Sequence, residues 1–357
     1  MTKAAELAKM GEVLTNSQIG GRRNIVINGG MNVAQRSSST VTVSNNSNEG
    51  FQTLDRFEFL FGNNAGGVCN ISQDTTVPSG YGFSNSYKVD VTTADTSLGS
   101  NHQIYIQTSL EAQDIKNSGW DYTNSNSTII CSFHARSVKA GTYCFGFRAM
   151  DSSSTKIFVK EFTLVANTWK LVSIKIPGDS GVAFNNDNGV GAQLTWSLQA
   201  ESGRANASDN AWHSSDTSRA TSNQVNFFDS TDNNFFLTGI QLEVGSQATP
   251  FEHRSFGEEL ALCMRYYEHD DSEGSDNYRI CMNKGTTAAS YYFAVDYAVT
   301  KRAKPTVTVT QAYSDNFVLS AHSGSSGRGH MGLLSTASGS TDTRALFEFT
   351  WSADAEL

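Results

Sequence analysis

From about residue 22 onward, apolar side chains recur at every second position. Phe57, Phe59 and Phe61 alternate in RFEFLF, and Ile104, Ile106, Thr108 and Leu110 in HQIYIQTSL. Ile129, Cys131, Phe133 and Ala135 follow, then Tyr143, Phe145 and Phe147. Val172, Ile174 and Ile176 share one face, Leu194, Trp196 and Leu198 another, and Phe236, Thr238, Ile240, Leu242 and Val244 form a long run. A period of two puts one side of a strand in a core and turns the other to solvent. Turn-rich stretches such as NNSNEG, GNNAGG, DSSST, PGDSG and NNDNGVG separate these runs. Many short strands with no helices between them predict an all-β fold, an antiparallel β-sandwich (jelly roll) over residues 21–254.

Helical spacing appears twice. In residues 1–20, Ala4, Leu7, Ala8, Gly11 and Leu14 predict a short N-terminal helix. About three turns are marginal alone in water, so this segment either docks or frays. Leu7, Met10 and Leu14 are its candidate anchor or oligomer contacts. At Pro250 the strand pattern breaks. Ser255 and Glu258 have capping-box spacing, and Phe256, Leu260, Cys263 and Tyr267 predict a linking α-helix over 255–268. Alternation then returns in Tyr291, Phe293, Val295, Tyr297 and Val299, and in Ala345, Phe347, Phe349 and Trp351. Residues 269–357 therefore read as a second, smaller β-domain. The polar span 200–223 reads as an excursion loop, with Trp212 pinning it to the core or stacking on a ligand.

Composition narrows the function. Hydrophobic residues make up 38% and charged residues only 17%, so hydroxyls and amides must solvate the surface. The net charge of -9 argues against phosphate-backbone binding, so no nucleic-acid partner is expected. No apolar run is long enough for membrane insertion, and MTKAAELAKMGEVL lacks the apolar core of a signal peptide. Five cysteines without CxxC spacing read as buried free thiols. No GxSxG, HExxH or P-loop motif is present, and the seven histidines are scattered. No catalytic, cofactor or metal residue is therefore assigned. Glycoside hydrolysis leaves no local signature, and carbohydrate binding needs only aromatic rings and amides on a sandwich. Tyr81, Trp120, Tyr122 and Trp212 are the candidate glycan contacts; each also has an ordinary packing role open to it.

Two segments carry a resemblance: GRRNIVINGGMNVAQRS (21–37) with LDRFEF (54–59), and TGIQLEVGSQATPFEHRSFGEELALCMRYYE (238–268). They resemble bacteriophage tail-fibre and related virion appendage proteins, in which a carbohydrate-binding-like jelly roll opens with N-x-x-I-N-G and closes with QLE-x-G-x-x-ATPFE-x-R. VANTWKLVSIKIPGD (165–179) and the terminal FEFTWSADAEL fit the same pattern. The resemblance implies a non-enzymatic virion protein, made in the host cytoplasm and carried on the particle. It implies a homotrimer, joined to other tail or capsid proteins through its N-terminus and directed at a host-surface glycan or protein. Two other roles stay open, a purely structural virion protein (capsid or collar fibre, tail adaptor) and a glycan-depolymerase tailspike. The motif residues themselves read as hinge and packing elements.

Overall fold

A computed structural model describes residues 23–270, 278–283, 290–314, 317–321, 326–337 and 344–357. The predicted N-terminal helix, with Leu7, Met10 and Leu14, lies outside the described residues. The described chain is predominantly strand, and all of its strand pairs are antiparallel. It divides into two units, one ending at Ser255 and the other spanning Phe256–Glu356.

The first unit holds twelve strands: β1 (Val41–Ser44), β2 (Glu58–Gly62), β3 (Val68–Asp74), β4 (Ser86–Thr93), β5 (Gln103–Glu111), β6 (Thr128–Ser137), β7 (Gly141–Ala149), β8 (Lys156–Leu164), β9 (Lys170–Pro177), β10 (Val190–Ala200), β11 (Ala211–His213) and β12 (Asn234–Val244). They form two six-stranded sheets, β1-β3-β4-β12-β6-β9 and β11-β8-β7-β10-β5-β2. Eight of the eleven successive connections switch sheet, the wrapped pattern of a jelly roll. A five-residue helix, α1 (Ala112–Lys116), follows β5.

The inward faces supply one aromatic core. Phe59 and Phe61, Phe133, Tyr143, Phe145, Phe147 and Trp196 are all buried in it. Trp196 meets Phe57, Phe133 and Phe145 at centroid distances of 6.4, 5.6 and 5.6 Å. At about 1.5–3 kcal/mol for each large side chain removed from water, this contact set dominates the unit's stability. Edge strand β9 shows the cleanest alternation: Val172, Ile174 and Ile176 are buried, while Lys170, Leu171, Ser173 and Lys175 face solvent.

One strand departs from its expected alternation. Phe236 and Thr238 do not share the core face with Ile240, Leu242 and Val244. The core instead receives Phe235 and Leu237, then Ile240 and Leu242. The pairing of β12 with β6 slips between Thr238 and Gln241, and Gly239 sits at φ +66° within the slip. This bulge inserts one residue and exchanges the faces. Phe236 consequently packs on the outer face against Trp169 (6.2 Å) and beneath the Arg136 guanidinium (5.1 Å).

The second unit opens with α2 (Phe256–Met264), shorter than the sequence predicts. The backbone turns at Tyr266, whose amide donates to Cys263 O (2.8 Å). Tyr267 then begins β13 (Tyr267–His269), pairing with Asp354. Pairing along a strand satisfies these backbone groups and ends the helix there. The remaining strands are β14 (Tyr278–Asn283), β15 (Ser290–Asp296), β16 (Thr306–Ser314), β17 (Phe317–Ala321), β18 (His330–Ala337) and β19 (Arg344–Asp354). β13, β14 and β16 pair with β19, and β15, β18 and β17 form a second sheet. Val295, Tyr297, Met331, Leu333, Phe349, Trp351 and Ala353 form its core. Lys301, fully buried, donates to Glu268 and to the Met264 carbonyl.

Cys69, Cys131, Cys144 and Cys263 are buried free thiols; the Cys281 side chain lies outside the described residues. Burial pushes the Cys144 thiol up to about 11.

Candidate functional site

The two recognisable segments meet in one clasp. Asn24 donates from Nδ2 to Ile240 O (3.0 Å), and its Oδ1 accepts from the Leu242 and Val26 amides (3.0 Å each). Glu252 accepts from the Asn24 amide (2.5 Å), and Arg254 reaches the carbonyls of Asn24 and Val26. Glu243 accepts from the Thr249 amide (2.8 Å) and hydroxyl (2.6 Å). Asn28, at φ 58°, donates to the Val33 and Asp55 carbonyls at 2.8 and 2.9 Å. A Cβ on Gly29 would collide with Ile240 O. Most of these polar groups are spent on joining the first and last segments of the sandwich or on bracing each segment internally. The motifs hold the fold and present no free chemistry.

The sequence-predicted glycan contacts fall in two places. Trp120, Tyr122 and Trp212 come together around Phe147 and Phe184. Trp120 lies 5.8 Å from Phe147, Tyr122 5.0 Å from Phe184 and Trp212 6.0 Å from Phe147. Trp120 is only 3% exposed, which leaves its ring no open face for a sugar. Trp212 is half-buried and donates from Nε1 to Pro177 O (2.9 Å), tying β11 in the excursion loop to β9 of the other sheet. Tyr122 is half-exposed, with the Lys116 ammonium over its ring (5.0 Å). Tyr81 stands apart from these three. It is 49% exposed and covers the ring of His134 at 4.4 Å.

The densest unspent polar chemistry lies elsewhere, on the outer face of the second sheet. There the register sets Glu58, Gln107 and Thr195 side by side on β2, β5 and β10. The next row is Ser109, Gln193 and Arg148 on β5, β10 and β7, and the row on the opposite side centres on Tyr105 and Ser197. With strands ~4.8 Å apart, four of them span roughly 14 Å. Gln107 donates to Glu58 (2.5 Å), Gln193 to Ser109 Oγ (3.4 Å), and Arg148 to Gln193 Oε1. The Oε1 atoms of Gln103, Gln107 and Gln199 are buried and have no hydrogen-bond partner. Among the described residues the Tyr105 hydroxyl has none either. Burial pushes the Tyr105 phenol up, opposed by nearby Arg219 and Arg148, so it is neutral at physiological pH.

The excursion loop walls one side of this face. Ala207 and Ala220 cover Cys144, Ile157 and Val159 on the outer side of β7 and β8. The loop thereby covers β7 and β8, while on β10, β5 and β2 the outward side chains pack closely on one another, with Glu58, Tyr105 and Gln193 partly exposed. It also brings Asp216 and Arg219 to the boundary, where Asp216 accepts from Arg148 and from Arg219 Nη2 (2.9 Å).

None of Tyr105, Gln107, Gln193, Arg148, Asp216 and Arg219 stands out in the sequence. One signal was present: the non-core positions of β5 and β10 are amides and hydroxyls, where a plain solvent face would carry Lys and Glu.

A shallow cleft of about 370 Å³ also opens between the edges of β8 and β9. Its charged groups are engaged: Lys160 pairs with Asp209 (2.6 Å), and Lys170 donates to Thr163 O (2.9 Å). Among the described residues no cluster of three metal-ligating side chains occurs, and no helix is long and apolar enough to cross a membrane.

No protein-family model and no curated protein matches the chain. Among solved structures it is similar to the enzymatically active domain of tailspike protein 4 of bacteriophage CBA120, with a TM-score of 0.34 and 10% identity over 62% of this chain and 21% of that one. It is similar to a family 4 carbohydrate-binding module ("CBM4"; TM-score 0.30, 11% identity, 61% of this chain and 98% of that one). It is also similar to the family 11 module of Clostridium thermocellum, solved with a β-1,3-1,4-mixed-linked tetrasaccharide (TM-score 0.28, 12% identity, 61% and 99%). The chain spans about a fifth of the tailspike chain's length and nearly all of each module's.

Proposed function

We propose that the chain is a non-enzymatic bacteriophage virion appendage protein of the tail-fibre type, which attaches to a host-surface glycan through the outer face of its second sheet. The observation that carries this reading is the face itself. It offers one half-buried aromatic ring among amides and hydroxyls, several of them without partners. Sugars present rings of C–H groups edged by hydroxyls. Tyr105 matches the first and the neighbouring Gln103 and Gln107 amides the second. The virion context rests on the resemblance of residues 21–37 and 238–268. A homotrimer joined to other virion proteins through residues 1–20 would present several such faces. Weak individual sites would then hold a cell surface through effective concentration.

The carboxylates on this face are tied down by donors. Glu58 accepts from Gln107, and Asp216 accepts from two arginines. A glycosidase needs one carboxyl free to protonate the leaving oxygen, so binding fits these groups better than cleavage.

The test is a panel of purified host-surface polysaccharides, with binding and reducing ends both measured. Binding without new reducing ends, lost at least tenfold in Tyr105→Ala with unchanged stability, is expected. New reducing ends would favour the tailspike enzyme. Absence of binding to every polysaccharide would favour a purely structural virion role.

A further inference from the structure

We infer that the glycan taken by this face is anionic and carries a carboxylate, as in a uronate-containing polysaccharide, and that Asp216 occupies the place of that carboxylate in the unliganded protein. The inference rests on the proposed glycan-binding role of the second sheet.

Two arginines converge on the Asp216 carboxylate, and a third, Arg204, reaches its backbone carbonyl. Arg148 and Arg219 donate to Asp216 Oδ1, Arg219 Nε donates to Asp216 O (2.7 Å), and Arg204 Nη1 donates to the same carbonyl (3.4 Å). Two positive groups therefore share a single carboxylate, in a chain whose net charge is -9. The guanidiniums are mostly covered, with 9% of the Arg148 side chain and 11% of the Arg219 side chain exposed. Asp216, by contrast, is 51% exposed and sits on a surface turn. The anion is thus the outermost member and the cations lie beneath it.

The cluster also has spare donors. Arg148 Nε and Arg204 Nε are buried without partners. Burial lowers the Arg148 pKa, and Arg219 lowers it further, against the opposing pull of Asp216. Two covered guanidiniums this close hold together only with an anion between them. A planar guanidinium accepts a carboxylate in a two-point fork. A sugar carboxylate could replace Asp216 without changing the arginines. The sugar ring would then lie towards Gln193 and Tyr105, which border the cluster: Gln193 accepts from Arg148, and Tyr105 lies within the field of both Arg148 and Arg219.

The experiment titrates the full chain with hexagalacturonate, its carboxyl-reduced neutral counterpart, and hexaglutamate as a non-glycan source of carboxylates. We expect hexagalacturonate to bind about tenfold tighter than the neutral sugar, since charge-assisted forks are the stronger hydrogen bonds, and to weaken as salt is raised. Asp216→Asn should tighten hexagalacturonate binding, because the resident competitor loses its charge. Arg219→Gln should abolish the preference, bringing the ratio of hexagalacturonate to neutral-sugar affinity down to about one. Melting curves accompany both variants, and each result is read only for folded protein. Equal binding of neutral and acidic sugars would overturn the charge assignment and leave glycan binding standing. Tight hexaglutamate binding would overturn the sugar assignment in favour of an acidic peptide. Binding of none of the three, with binding to neutral host polysaccharides, would overturn this inference alone. Absence of all glycan binding would overturn both.

Discussion

Asn24 shows how much of this sandwich hangs on single polar side chains. Its amide satisfies the neighbouring Val26 N–H and, across more than two hundred residues of sequence, the Leu242 N–H and the Ile240 carbonyl. Asn24→Ala strands those groups in a buried setting. The expected loss is roughly 2–4 kcal/mol in urea unfolding, with glycan affinity unchanged in the folded fraction. His134 gives a prediction in pH. It is 4% exposed, neither ring nitrogen has a partner, and burial lowers its pKa from 6.5 to about 4. Between those values the unfolded chain binds the proton and the folded chain does not. Its contribution is therefore present above about pH 6.5 and is lost as pH falls towards 4. His134→Leu should flatten the fall in stability over that window and cost little at pH 7, where the imidazole makes no hydrogen bond. Some of this was legible in the sequence. Trp212 in a polar span signals a pin, and it is one. Nothing near Trp120 marks it as buried, because its burial comes from Phe147 and Phe184, which are distant in sequence.

At the scale of the element, period-two alternation located β2, β5, β6, β7, β9, β10 and β12 of the sandwich but not β1, β3, β4, β8 or β11, and the one face it misassigned has a definite cause. In β12 the apolar run is unbroken on paper, yet the bulge at Gly239 exchanges its faces after Leu237. A glycine within an alternating run fits a plain strand as well as a bulge, so only the register of the partner strand resolves it. Gly239→Val should cost at least ~2 kcal/mol, since φ is +66° and the new Cβ would lie 2.5 Å from Phe83 Cζ. Thermal unfolding of the variant measures this. The linking helix failed in the other direction. Tyr266 and Tyr267 continue the helical spacing, but pairing with β19 claims Tyr267. The excursion loop is held by β11 and by the Trp212 bond to Pro177. Trp212→Ala should speed amide exchange at residues 211–213 and expose the loop to proteolysis, while the core strands keep their protection.

Across the whole molecule, the recognisable parts and the candidate site separate cleanly. Residues 23–37 and 238–254 close the sandwich through their hydrogen bonds. The proposed site is made of strand positions that look unremarkable one at a time. Tyr105, Gln107, Thr195, Gln193 and Arg148 become a surface only when β5, β10 and β7 are aligned, and Asp216 joins them only because a loop folds back over the sheet. Motif resemblance therefore pointed to the fold, and the proposed virion setting rests on it alone, while the site needed the register. The low charge and the high content of Ser, Thr and Asn, roughly 30% of the chain, fit the proposed appendage role, which requires staying in open water without adhering to other copies.

Hydrogen exchange of the full chain, with and without a host polysaccharide that it binds, tests the location of the site most directly. Slowed exchange is predicted in residues 103–111 and 190–200 and in the turn around Asp216, with residues 256–356 and the Tyr81 segment unchanged. Protection confined to the Tyr81 segment or to residues 256–356, with β5 and β10 unaffected, would contradict it.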